Sequence, residues 1–202
     1  MIELQTQIVF DEVIAGMLSA QCFGGKSLPR TVSVPASSEA RYQELVDRGY
    51  LFLRFLPQCD WYNARLASPD DLGRLRLIAE ESWFSEASAA DRSLATWAAL
   101  DTLPDSHCQR VRRLLSEGLQ VECMQRRITL FGRSPEGPFT ILDGNHRMLA
   151  LAHNVLAQRM PMEPLDVHLG LSFGPCRWHG DPVMWEERPP HDGKTRFVLR
   201  TW

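Results

Sequence analysis

Five consecutive residues, Asp143-Gly144-Asn145-His146-Arg147, concentrate the chemistry of this 202-residue chain. They follow an apolar run, Phe139 to Leu142, and precede Met148, Leu149, Leu151, Ala152 and Val155 at helical spacing. A strand that passes straight into a helix leaves the first-turn N–H groups unpaired at the positive end of the helix dipole, which makes an anion site. Gly144 lets the backbone approach a ligand and take a dihedral that other residues resist. Arg147 can fork onto phosphate oxygens. His146 can donate to phosphate or move a proton near neutral pH, and Asp143 can hold a metal or take a proton from a hydroxyl. Each residue alone has a plain structural use, Asp143 as a helix cap and Gly144 and Asn145 as turn residues. Packed into one helix start, they read as a site.

The elements that must position this turn are legible around it. Arg127 to Gly132 reads as a strand, Arg133–Gly137 as a tight loop and Phe139 to Leu142 as the hairpin partner. A further strand is expected over Leu165–Leu171 and a last one over Arg196–Arg200. Towards the N-terminus, Ile8-Val9-Phe10 reads as a strand, 12–20 as a helix, and Val32-Ser33-Val34 as a short strand. Ser37 and Ser38 are N-cap candidates for a helix to about Arg48 that Gly49 stops, and Tyr50 to Leu56 reads as a buried strand or a very short one with an exposed edge. Ser68-Pro69-Asp70-Asp71 is a helix start, and Leu72, Leu75, Ile78 and Ala79 recur at helical spacing after it. With helices expected over 89–100 and from Pro104-Asp105, residues 68–117 read as a helical insert in one domain spanning 1–202. The fold class is α/β, a mixed α+β arrangement.

Composition narrows the class. Of the residues, 44% are hydrophobic and 23% charged, enough for a globular core. Net charge is −3 and the pI about 6.1, so no global field draws the chain to nucleic acid. Arg110, Arg112, Arg113, Arg126, Arg127 and Arg133 could form a local basic patch, but read first as solvated positions. Cys22, Cys59, Cys108, Cys123 and Cys176 are odd in number and widely spaced, which fits reduced thiols better than disulfides or a zinc knuckle. With no signal-peptide pattern and no apolar run of membrane-spanning length, a cytoplasmic protein is expected.

Other features carry less. Gly24-Gly25-Lys26-Ser27 ends like a phosphate-binding P-loop, but Ala20 stands where that pattern needs its first glycine. The tail gathers His168, His179, Asp181, His191 and Asp192 at spacings that match no ligand pattern. His153, seven residues after His146, reads as a partly buried helix residue.

The run from Phe139 to Ala152 resembles the signature of the ParB/sulfiredoxin-like superfamily, in which a hairpin leads into a D/G-G-x-H/R-R turn and an alanine- and leucine-rich helix. The Asp-Gly-x-His-Arg form is most similar to the free-serine-kinase branch. The resemblance implies a ParB/sulfiredoxin-like core with the helical insertion, and a turn that binds the phosphates of ATP or ADP with Mg²⁺. Asn145 stands where sulfiredoxin has its cysteine, which excludes sulfinic acid reduction. Chromosome-partitioning relatives need a DNA-binding module after this helix, and about 50 residues follow it here.

The expected function is a kinase-like phosphotransferase acting on a small hydroxylated molecule. Gly144 and Asn145 would cradle phosphate, His146 and Arg147 neutralise charge on the transferred group, and Asp143 orient metal or acceptor. Two alternatives stand beside it. One is a non-catalytic nucleotide-binding or DNA-associated regulator; the other is a small-molecule enzyme using Asp143 or His146 as acid/base.

Overall fold

Ile128–Gly132 is buried at every position, as a strand covered on both faces must be. It lies inside a six-stranded mixed sheet. The computed structural model describes residues 2–19, 22–23, 26–27, 37–47, 50, 53, 56–79, 91–101, 103–116, 127–181, 185–188 and 196–199. In chain order the elements are β1 (Glu3–Ile8), α1 (Phe10–Ser19), β2 (Cys22–Phe23), β3 (Lys26–Ser27), α2 (Ser38–Asp47), β4 (Asp60–Leu66), α3 (Pro69–Leu72), β5 (Leu75–Arg76), α4 (Leu94–Trp97) and α5 (Asp105–Ser116). Then follow β6 (Ile128–Gly132), β7 (Phe139–Asp143), α6 (Asn145–Ala152) running into a π-turn (His153–Ala157), β8 (Leu165–Leu171), a 3₁₀ turn (Arg177–His179), β9 (Trp185–Arg188) and β10 (Arg196–Leu199). This is a mixed α/β fold.

The main sheet has the order β1-β4-β8-β6-β7-β5. β6 runs parallel to β8 and β5 parallel to β7, and the other pairs are antiparallel. Two short antiparallel pairs, β2–β3 and β9–β10, stand apart from it. α1 lies over β4 and β8: Phe10 stacks on Trp61 with ring centres 5.2 Å apart. Opposite Trp61 on β8 stands Gly170, where a Cβ would fall 2.8 Å from the indole. The ring of His168 packs against Gly16 in the same way, at 3.1 Å. α4 and α5 pack against α6.

The hairpin, the helix after it and the strand Leu165–Leu171 stand where the apolar pattern puts them. Ser37 accepts a hydrogen bond from the Ala40 N–H at 3.2 Å, capping α2 as expected. Elsewhere the structure departs from the pattern. The first strand ends at Ile8 rather than starting there, because Phe10 is drawn into α1 by its stacking on Trp61. β4, an interior strand, carries Asn63 and Arg65 on the same face as Trp61, so polar and apolar residues do not separate cleanly by face. The helix opened by Pro69 stops at Leu72; Leu75, Leu77 and Ile78 are instead buried on extended chain that joins the sheet edge. The described residues of 68–117 therefore hold three helices and a strand. The expected strand at Val32–Val34 and most of that at 50–56 fall outside the described residues. Among the described residues no helix is long and apolar enough to cross a membrane.

Candidate functional site

β7 ends at Asp143, and the chain turns into α6 through Gly144 at φ +96°. That left-handed conformation favours glycine, and a Cβ there would meet Ile128 Cδ1 at 2.4 Å and Arg147 Nη2 at 2.9 Å. The first bond within the helix runs from the Met148 N–H to the Gly144 carbonyl at 2.9 Å. The N–H groups of Asn145, His146 and Arg147 thus form the first turn, ahead of that bond. Arg147 reaches back across Gly144, and Nη2 donates to Asp143 Oδ2 at 3.3 Å, with the two side chains 12% and 15% exposed. The structure therefore brings a helix N-terminus, a guanidinium and a carboxylate to one point near the surface.

Asn145 has a separate task. Its side chain is buried; Oδ1 accepts the Ile78 N–H at 3.2 Å and Nδ2 donates to the Ile141 carbonyl at 3.1 Å. Backbone pairing between β5 and β7 stops at Arg76 and Thr140, so this amide carries the connection one step further. What Asn145 offers a ligand is its backbone N–H.

His146 turns toward α5, where its Nε2 lies 2.9 Å from His107 Nδ1. Burial, with Arg110 and His107 nearby, pushes its pKa down to about 3. At neutral pH the imidazole is uncharged, so it contributes a hydrogen bond and leaves positive charge to Arg147. Residues 107 and 146 carry no mutual signal in sequence, since they meet only when α5 packs on α6.

The remaining sequence candidates disperse. His179 bonds the Thr140 hydroxyl at 2.9 Å and lies edge-on to Phe131. Asp181 accepts from Arg133 at 2.5 Å and from the Cys176 N–H at 2.6 Å. Arg92 ties this loop down, donating to the carbonyls of Leu77 and Trp178 at 3.1 Å and of His179 at 2.5 Å. His168 is buried on β8, and His191 and Asp192 fall outside the described residues. His153 bonds the Ala98 carbonyl at 2.8 Å, a helix-packing role. Of the candidate basic patch, Arg110, Arg112 and Arg113 lie along α5, whereas Arg127 bonds Asn63 and Arg133 bonds Asp181; Arg126 is outside the described residues. Burial pushes the Cys59 thiol up to about 12 and Cys176 up to about 11, so neither is a thiolate at neutral pH.

Among the described residues no three His, Cys, Asp or Glu side chains gather to hold a metal ion. Among the described residues the turn offers the carboxylate of Asp143, which does not by itself make a metal centre built from protein alone. No family model matches the chain, and neither a curated protein nor a solved structure matches it significantly, so the chemistry of this turn is read from its own geometry.

Proposed function

We propose that the chain is a nucleotide-dependent phosphotransferase that carries a phosphoryl group from ATP or ADP to a small hydroxylated molecule. The observation that supports this reading is the first turn of α6, with Arg147 lying over the left-handed Gly144 and Asp143 just before it. Phosphate oxygens suit such a point because backbone N–H groups and the helix dipole both favour negative charge. Arg147 Nη2 donates to Asp143 Oδ2 at 3.3 Å, and a phosphate would offer the planar guanidinium fork two oxygens. The low exposure of both side chains strengthens that interaction over its value in open water.

In the transfer, the bond between the terminal phosphorus and its bridging oxygen breaks, and one to the acceptor oxygen forms. Arg147 balances the charge on the phosphoryl oxygens, neutral His146 donates a hydrogen bond, and Asp143 orients the acceptor and receives its proton. Mg²⁺, held by Asp143 and the phosphates, would supply further charge neutralisation. The likeness of Phe139–Ala152 to the ParB/sulfiredoxin-like turn points the same way.

Calorimetric titration of the full chain with ATP, ADP and CTP in the presence of Mg²⁺ tests the reading. ATP or ADP should bind, and Arg147→Ala should weaken binding at least tenfold, about 1.4 kcal/mol. If no nucleotide binds, or Arg147→Ala binds as tightly as the parent, the phosphate cradle is refuted.

A further inference from the structure

A row of polar side chains crosses the middle of the sheet and ends at the candidate turn. Asn63 on β4 pairs with His168 on β8, His168 with Thr129 on β6, and Thr129 with Asp143 on β7. Residues paired across neighbouring strands project to the same face about 5 Å apart, and the row reaches Asp143 across a β-bulge that shifts the β6–β7 register between Thr129 and Leu130. The next row on that face holds Trp61, Gly170, Phe131 and Thr140. Polar groups in such a place are costly unless each finds a partner.

The ends of the row are satisfied. Arg127 donates to Asn63 Oδ1, and Arg147 to Asp143 Oδ2. The middle is not. Thr129 is fully buried, and its hydroxyl has no hydrogen-bond partner among the described residues. An unmade bond at such a hydroxyl costs about 1–3 kcal/mol. Its neighbour His168 is 6% exposed, and burial together with Arg127 pushes its pKa down to about 4, so the ring is neutral at pH 7. Both flanking arginines are already matched to acceptors in the row. What remains unmet is hydrogen bonding without net charge.

We propose that Thr129, between His168 and Asp143, is the subsite that receives a hydroxyl group of a small uncharged substrate. Its role as the acceptor subsite rests on the phosphotransferase reading, because the row delivers that oxygen to Asp143 at the turn. A hydroxyl both donates and accepts, so it satisfies Thr129, whereas an apolar group would leave Thr129 unpaired and an anion would face the Asp143 carboxylate. Thr129 is a binding residue in this arrangement, and His168 positions the same oxygen from the next strand.

Thr129→Val keeps the side-chain shape and removes the hydroxyl. Glycerol is the probe, read by the ring-proton resonance of His168 and by glycerol-stimulated ATP turnover. In the parent, glycerol should shift the His168 resonance saturably. In Thr129→Val that response and the turnover should weaken at least tenfold, the latter through KM, while ATP binds within twofold of the parent. The variant should melt at or above the parent temperature, since it loses an unpaired hydroxyl. The subsite is overturned if glycerol leaves His168 unmoved in the parent or moves it equally in the variant. It is also overturned if the variant melts well below the parent with its glycerol response intact, the signature of a structural water. Should ATP fail to bind while glycerol moves His168 in the parent alone, the subsite stands and the phosphotransferase reading falls. If ATP binds and glycerol does not, the reverse holds.

Discussion

Removing the Asn145 side chain should destabilise the protein far more than a turn residue would. The amide bridges the N–H of Ile78 and the carbonyl of Ile141, whose residues are 5% and 0% exposed. Asn145→Ala leaves both backbone groups buried and unpaired, at about 1–3 kcal/mol each. Alanine returns roughly 0.5 kcal/mol through its better helix propensity. A net loss of about 3 kcal/mol remains, which lowers Tm by roughly 6–12 °C in a domain of this size. Asn145→Asp is the informative companion. It retains an acceptor for Ile78 but sets a carboxylate oxygen against the Ile141 carbonyl, so it should also destabilise. Differential scanning calorimetry at pH 7 reads both variants. A Tm within 2 °C of the parent for Asn145→Ala would refute the claim that this amide extends the β5–β7 connection. Nucleotide titration at a temperature where the variant is folded separates the bracing role from the proposed phosphate contact.

Two further outcomes follow from the same geometry. His146 and His168 titrate near 3 and 4 when folded, against about 6.5 when unfolded, so the unfolded chain binds more protons between those values. Their contribution to stability is complete above about pH 6.5 and is lost as pH falls below it, at up to about 1.4 kcal/mol per pH unit for each ring. Asp91, whose carboxyl the Ser93 N–H and the Thr96 hydroxyl hold below its ordinary value, acts only below about pH 4. Urea melts between pH 7 and 4.5 should show the histidine slope, and His168→Gln should flatten it; an unchanged slope counts against burial of a neutral ring. Arg92→Lys should cost about 2–4 kcal/mol, because a point ammonium cannot reach the carbonyls of Leu77, Trp178 and His179 together. Chemical denaturation measures it, and a change under 0.5 kcal/mol would show that the 176–181 loop is held by other contacts.

The chain's own pattern determined the turn and what leads into it. Apolar runs at Ile128–Gly132 and Phe139–Leu142, separated by Ser134-Pro135-Glu136-Gly137, specify a hairpin through local turn chemistry. Glycine before a 3.6-period apolar stretch specifies the start of α6 for equally local reasons. Tertiary structure decided the rest. β4 escaped notice because Asn63 and Arg65 face partners supplied from elsewhere, Arg127 and Asp166. Leu75 and Ile78 fit a helix as well as a strand, and only pairing with Phe139 and bonding to Asn145 fix them as extended chain. The charge of His146 likewise depended on α5, which packs His107 and Arg110 beside it and excludes water. Residue types marked a helix start with a guanidinium and a carboxylate beside it. Which members of that turn face a ligand and which hold the fold was set by contacts dozens of residues apart in sequence, which periodicity and propensity do not encode.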